Sequence, residues 1–419
     1  MERVFMVNHG VDTLVLNAYH TDENGKPIKR ELDRLLHEQF NQWKKEAQGM
    51  HDAFPTPLVF NGATLHMQPN GAGQGQWPWM LKSKDITLYI SGGQWNGIAS
   101  VRLSSDYLWS CRKVLDAIST IQVLLDDLFH DEMYLQVSLV DLCVDIAGWH
   151  DIDRLDRFEN FITRAKKRTG YAESEMLHDG GIQEYSFGKQ QTGFAFGKDK
   201  KGRSSLSCRI YDKTREVTQS GKEWVCDLWR GRDWSETDGK VWRVEVSFKR
   251  EVLHELFQEE TESWGIEDAY LLPDVLPLLW AYAVGQVKGG PDGLPDGWLR
   301  CALSNGDKNR SRWPTHPAWK VLQGAFAQSV EVPEQFGKII RKRHEERSIE
   351  KGIEAVIGYL TSLAAWAGGD LAREGTDLSI VLHWLANSGQ EYLDRVERDF
   401  SAEIVRKRVK LGLQVVGKP

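Results

Sequence analysis

Three segments of this chain alternate so strictly that their two faces carry opposite chemistry. In Val140-Asp-Leu-Cys-Val-Asp-Ile146, Leu142, Val144 and Ile146 fall on one side while Asp141, Cys143 and Asp145 share the other. Trp242-Arg-Val-Glu-Val-Ser-Phe-Lys249 sets Trp242, Val244, Val246 and Phe248 against Arg243, Glu245, Ser247 and Lys249. Ser207-Cys-Arg-Ile-Tyr-Asp-Lys213 sets Cys208 and Ile210 against Arg209, Tyr211 and Lys213. Successive side chains of an extended strand point to opposite sides. Each segment therefore reads as a strand with one face on a core and the other face charged.

Alternating segments fill the first 250 residues. They predict strands at 11–19, 57–62, 86–91, 98–104, 136–147, 181–188, 192–198, 204–212 and 240–249, and helices at 29–48, 106–128, 151–168 and 250–260. As an order this reads β-α-β-β-β-α twice. The expected class is α+β: two antiparallel sheets in a pseudo-twofold βαβββα duplication, followed by a helical C-terminal domain. The expected divisions are 1–130 for the first half, 131–284 for the second, 285–316 for an irregular glycine- and proline-rich linker, and 317–419 for the helical domain. Pro69-Asn-Gly-Ala-Gly-Gln-Gly75 lacks the Gly-Lys-Ser/Thr ending of a phosphate loop and reads as a flexible hairpin or lid.

Composition excludes several classes. No apolar run approaches the roughly 18 residues of a membrane span, so no membrane partner is expected. The start lacks the features of a secretory signal. The five cysteines are scattered without a Cys-x-x-Cys, which argues against a disulfide framework or zinc ribbon. A reducing cytoplasm is the expected setting. The formal net charge of −7 argues against a coat-like DNA binder. It leaves room for a local basic groove, because Lys189–Arg215 holds eight Lys or Arg against two Asp, a local +6.

The charged faces suggest chemistry. A tyrosine between two cations is suited to attack a phosphodiester, the cations favouring the phenolate and offsetting transition-state charge. Tyr211 is the candidate nucleophile, with Arg209, Lys213 and Arg243 as candidate charge stabilisers. Oxygen-only ligation by Asp145 and Glu245 would suit Mg²⁺ or Mn²⁺. Asp141 is about 13 Å along the strand from Asp145, so it is the candidate partner for an arginine or an alternative metal ligand. Plain surface ion pairs across a sheet are the competing reading. Lys198, Lys200, Lys201 and Arg203, and Arg341, Lys342 and Arg343 on an expected basic helix, are candidate DNA contacts.

The ordered set Val140-Asp-Leu-Cys-Val-Asp145, Gly197 with Ser204-Ser205, Arg209-Ile-Tyr-Asp-Lys213 with Glu216, and Trp242-Arg-Val-Glu245 resembles the replication initiation factor family. That family comprises rolling-circle plasmid initiators with related relaxases of integrative conjugative elements and filamentous phages. The resemblance covers about residues 85–260; residues 1–80 and 300–419 carry no matching motif. It implies a strand-borne tyrosine that nicks one DNA strand and stays joined to the 5′ phosphate, assisted by a divalent metal. Tyr211 takes the nucleophile position, and Asp145 and Glu245 match acidic positions. The implied partners are DNA at a single-stranded or cruciform origin and a helicase; a homodimer is a further expectation. Two alternatives stay open: a non-catalytic DNA-binding initiator of the same fold, and a metal-dependent nuclease that uses water.

Overall fold

The computed structural model describes residues 3–92, 97–165, 167–172, 191–197, 204–258, 263–285, 297–326, 339–341, 349–373 and 375–410. The chain divides into two compact units, Met1–Lys342 and Arg343–Pro419. The first is a mixed α/β unit built on one antiparallel sheet of 12 strands. From edge to edge the strands are Arg168–Ala172, Gln191–Phe196, Leu206–Asp212, Val241–Lys249, Tyr134–Ala147, Phe5–Thr21, Ala99–Leu103, Ile86–Ile90, Trp79–Lys82, Ala63–Met67 and Phe54–Phe60. The short Pro27–Ile28 pairs with the end of Phe5–Thr21.

The two sheets expected from the sequence are therefore continuous. Phe5–Thr21 and Tyr134–Ala147 are long enough to pair with each other along their length while each receives another strand on its far side. Leu14 faces Val140 on one neighbour and Leu103 on the other. Val244 pairs with Val144, which pairs in turn with His9.

The apolar faces bury as their alternation requires: Val140, Leu142, Val144, Ile146, Cys208, Ile210, Val244, Val246 and Phe248 are all at most 1% exposed. Helix Val114–Phe129 joins this core through Ala117, Ile118, Ile121, Leu125, Leu128 and Phe129, the three- and four-residue spacing of one helical face.

Other expectations are corrected. Among the described residues, 151–168 hold the 3-10 turn Ile152–Arg154, the strand Phe161–Thr163 and the start of strand Arg168–Ala172 in place of the expected helix. The Asp156 carboxylate accepts from the backbone N–H of Phe158 and Glu159 at 2.6 and 2.9 Å, while Asn160 accepts from Asp156 N–H at 2.8 Å. Such local side-chain bonds offer the backbone an alternative to helix. After helix Arg250–Glu255, the chain turns into strand Leu256–Gln258, which pairs with Ile339–Arg341. Arg341 thus stands in a short strand, not in a basic helix. The segment expected as an irregular linker contains strand Leu299–Cys301, paired with Phe161–Thr163. Helix Pro317–Gln323 belongs to the first unit, where Trp319 donates to Val284 O at 3.0 Å and Trp280 donates to Leu322 O at 2.8 Å. The glycine-rich turn near residue 73 is closed by an Ala72–Trp77 bridge. The expected strand 181–188 lies outside the described residues.

The second unit has helices Ile349–Ala367, Leu378–Arg395 and Phe400–Lys410, with Leu360, Ala364 and Val381 buried among them. No helix among the described residues is long and apolar enough to cross a membrane.

Leu14 is fully buried where three strands meet. Leu14→Ala should therefore destabilise the first unit by about 3 kcal/mol, measured as the shift in free energy of urea unfolding; a change below about 1 kcal/mol would mean that this junction is not the packed centre.

Candidate active site

The opposite face of strands Leu206–Asp212, Val241–Lys249, Tyr134–Ala147 and Phe5–Thr21 carries the chemistry; it too is largely buried, and the register sets it out in rows. One row runs Gly193, Tyr211, Arg243, Asp145, Asn8; the next runs Ala195, Arg209, Glu245, Cys143, Gly10. The third pairs Ser207, Ser247, Asp141 and Thr13. The pairing thus brings together Tyr211 and Glu245, 34 positions apart in sequence, and Arg243 and Asp145, 98 apart.

Tyr211 is only 8% exposed, and its hydroxyl donates to Glu245 Oε2 at 3.0 Å. The other carboxylate oxygen, Oε1, is ion-paired with Arg209. Burial, reinforced by Glu245, pushes the Tyr211 hydroxyl well above the ordinary tyrosine range. Burial alone would also raise Glu245, but Arg209, acting through charge and hydrogen bond and helped by Arg243 and Lys213, holds its carboxyl at about 2. The resting pair is a neutral phenol and a carboxylate. The expectation that flanking cations favour the phenolate is not met in this state, because burial outweighs them.

Arg209 and Lys213 still approach the ring, lying 5.7 and 5.6 Å from its centroid. Lys213 is not the continuation of the strand. It opens helix Lys213–Ser220, capped by the Asp212 carboxylate accepting from Arg215 N–H, and it is buried and paired with Glu216. The Arg209 side chain is 43% exposed and is the open member of the cluster.

Arg243 is enclosed. Its Nε and Nη2 donate to Asp145 Oδ1 and Oδ2 at 2.6 and 2.8 Å, and Nη1 donates to Asp12 at 2.6 Å. Burial would lower the guanidinium pKa, but Asp145 outweighs it and raises it well above its ordinary value. Trp229 Nε1 adds a third donor to Asp145, at 2.9 Å to Oδ2. The arginine partner on the aspartate strand is thus Asp145, the role assigned above to Asp141. Asp12 was missed by the sequence reading. It is the extra residue of a β-bulge, since Val11 pairs with Leu142 and Thr13 with Asp141, leaving Asp12 between them. A bulge re-aims a side chain that alternation assigns to neither face, so no periodic signal could have found it.

Asp141 is 8% exposed; its Oδ1 is buried without a hydrogen-bond partner among the described residues. Burial first, and the nearby Glu245 second, push its carboxyl up to about 7, against the pull of a hydrogen bond from Ser247. Against the divalent ion that the sequence resemblance implies, Asp145 fits poorly because both its oxygens are taken by Arg243 and Trp229. Asp141 fits through its unpartnered oxygen, as a diagonal neighbour of Glu245 across the register. Among the described residues no three His, Cys, Asp or Glu side chains form a ready-made metal cluster.

Two glycines let neighbouring groups pack closely on this face. A Cβ on Gly193 would stand 2.3 Å from Ile210 O, and one on Gly10 would stand 2.8 Å from the Trp109 ring. Lys198, Lys200, Lys201, Arg203, Lys342 and Arg343 lie outside the described residues.

No protein-family model matches this chain, and no curated protein matches it. Among solved structures, a rolling circle replication initiator protein from Geobacillus stearothermophilus aligns with a TM-score of 0.38 and 13% identity, over 80% of this chain and 100% of that one.

The Asp141 shift has a defined sign. A carboxyl raised to about 7 in the folded state and near 3.8 when free keeps its proton on folding between those values. Stability then falls as pH rises from about 4 to about 7, by up to about 1.4 kcal/mol per pH unit. Denaturation midpoints measured across that window should decline in the native protein, and Asp141→Asn should flatten the decline. An unchanged slope in the variant would show that Asp141 does not titrate there.

Proposed function

We propose that this protein is a DNA nicking and joining enzyme that acts through a 5′-phosphotyrosine on Tyr211, in the manner of a rolling-circle replication initiator. The observation that carries the reading is the Tyr211 hydroxyl donating to Glu245 at 3.0 Å beside the partly exposed Arg209. Nucleophile, proton acceptor and anion-binding cation share one patch of sheet.

The chemistry follows from their coupling. Arg209 keeps Glu245 weakly basic in the resting state. A scissile phosphate competes with Glu245 for the same guanidinium, and as Arg209 turns toward it, Glu245 gains proton affinity. Tyr211 Oη then bonds to phosphorus as the phosphorus–O3′ bond breaks. The phenolic proton passes to Glu245, and the departing 3′ oxygen is protonated from solvent. Arg209 and Lys213 offset the added negative charge. In the reverse step, a 3′ hydroxyl attacks the phosphotyrosine and Glu245 returns the proton to Tyr211, so no nucleotide hydrolysis is required. Arg243, held by Asp145 and Asp12, is a positioning group for the strand rather than a free phosphate ligand.

Asp141, through its unpartnered oxygen, is the residue that would hold Mg²⁺ or Mn²⁺, with Glu245 able to join only once Arg209 releases its Oε1; when bound the ion would withdraw electron density from the phosphate. The strand order on either side of the two central strands, with the last strand of each half beside its first, supports a duplicated origin for the sheet. DNA at an origin is the proposed partner, and a cytoplasmic setting goes with it.

Supercoiled DNA carrying the cognate origin should yield open circles with protein covalently attached. Tyr211→Phe should abolish the attachment, and Glu245→Gln should slow it about 10²- to 10⁴-fold, as followed on denaturing gels. A covalent adduct formed by the Phe variant, or nicking by the native protein without any adduct, would overturn the assignment of Tyr211.

Metal occupancy has its own readout. At pH 8, Mn²⁺ should raise the thermal unfolding midpoint of the native protein, and Asp141→Asn should remove that increase. Equal stabilisation of both proteins would place the ion elsewhere.

A further inference from the structure

The amino-terminal half of the sheet has one covered face and one that the proposed chemistry does not use. Leu16, Leu65, Leu81, Leu88 and Val101 are fully buried in the core that helices Arg34–Met50 and Val114–Phe129 join. Residues adjacent to them in sequence point the other way. There Lys82 and Arg102 are exposed, with Val15, His66 and Thr87 half-buried. The register puts these residues in a row: Val15 pairs with Arg102, Arg102 with Thr87, Thr87 with Lys82 and Lys82 with His66. In the other direction Val15 pairs with Leu139, and Leu139 with Lys249. Residues directly opposite each other share a face, so one row crosses seven strands.

The face is free of acidic side chains. Strands Ala63–Met67, Trp79–Lys82, Ile86–Ile90 and Ala99–Leu103, with the Leu14–Ala18 stretch, contain no Asp or Glu, in a chain that has 60. Asp85, in the turn after Lys82, is 3% exposed, and its carboxylate accepts from Asn61 Nδ2 at 3.0 Å. Lys82, Lys84 and Arg102 are exposed, and none of their side chains makes an ion pair or hydrogen bond with a described residue. An open groove of about 510 Å³ runs beside Lys82, lined by Thr64, His66, Gln68, Ser83 and Lys84 and by no carboxylate.

This row belongs to the face that carries Tyr211. Leu139 and Lys249 stand two residues from Asp141 and Ser247 on their strands. Arg243, opposite Tyr211, is six residues from Lys249, roughly 20 Å at about 3.3 Å per residue. Between them, the carboxylates of Glu245, Asp145 and Asp12 are paired with Arg209 and Arg243. Lys82 and Arg102 are two strands apart and Arg102 and Lys249 three, or about 10 and 14 Å at about 4.8 Å per strand. These gaps are of the order of the B-DNA major groove, about 12 Å wide, so the row can meet the backbones on both sides of a groove. It holds no Phe, Tyr or Trp on which an unpaired base could stack.

We propose that this open face binds the backbone of duplex DNA through Lys82, Lys84 and Arg102. Its biological meaning rests on the nicking role, but binding is measured without cleavage. Fluorescence anisotropy of a labelled duplex, and of an oligothymidylate of equal length, would be followed on full-length protein across a salt series. Replacing Lys82, Lys84 and Arg102 together by Gln should reduce the duplex salt slope by about 2 to 3, at about 0.9 per lost phosphate contact. Oligothymidylate binding should fall less. Arg34 and Lys45, exposed on the helix over the opposite face, serve as the control, and their replacement by Gln should leave the slope unchanged. Far-ultraviolet dichroism and urea midpoints would establish that the variants fold. Should the triple variant fail to fold, Arg102→Gln alone should take about 0.9 off the slope.

Folded variants with the native slope would overturn the proposal while leaving Tyr211 chemistry intact. An equal fall in the control variant would reduce the effect to net charge and overturn it too. Equal or greater loss on oligothymidylate would overturn the duplex as the occupant. A native protein that forms no Tyr211 adduct, yet loses duplex slope in the triple variant, would support the surface and overturn the nicking role alone.

Discussion

The buried guanidinium of Arg243 organises the charged face of the sheet. Its contacts with Asp145 and Asp12 join three strands from opposite ends of the first 250 residues, at 2.6 to 2.8 Å. Isolated in the interior, such a charge would be prohibitively costly; paired on three of its nitrogens, it fixes the strands that carry it. Removing one partner of a buried pair commonly costs about 3–5 kcal/mol, because the other is left uncompensated. Beside this clamp, Tyr211 stands in the same row and Glu245 in the next, with the unpartnered oxygen of Asp141 one row further along. Their separation, and therefore their coupling, is set by a pair that itself has little freedom to move.

That arrangement divides the ionisable groups into two kinds. Asp145, Asp12 and Arg243 satisfy one another and hold position. Glu245 and Asp141 are displaced in opposite directions, one held at about 2 by Arg209 against burial and the other raised to about 7 by burial and its neighbour. Two neighbouring carboxyl groups pushed apart in proton affinity are what acid–base chemistry at neutral pH requires. Arg209 alone of the group combines high exposure with a direct hold on Glu245, so a polyanion arriving from solvent meets that control point.

Much of this was legible in the sequence because it depended on period-two alternation. The split faces at 140–146, 207–212 and 242–249 told which side chains share a surface, and the structure sets Tyr211, Arg209, Glu245, Arg243, Asp141 and Asp145 on that surface. Alternation says nothing of register, however. It could not tell that Asp145 rather than Asp141 meets Arg243, because that depends on how Val241–Lys249 slides against Tyr134–Ala147. Nor could it show that two long central strands pair with each other and merge two sheets into one. Residues 151–168 looked helical by composition, but side-chain bonds from Asp156 and Asn160 to the backbone diverted the chain.

The bulge at Asp12 makes the length of the first strand as important as its composition. Thr13 to Tyr19 pair with 134–141, while Phe5 to Val11 pair with 142–147, and the offset between the two stretches is carried in part by that one residue. Deleting it would restore regular pairing locally, but at the expense of the side chain that holds Nη1 of Arg243. Inserting a residue would turn one stretch over, exposing Leu14 and Leu16 or burying their polar neighbours. Over evolution, then, this amino-terminal strand should accept substitutions at many positions and accept changes in length at almost none, although it lies far in sequence from Tyr211.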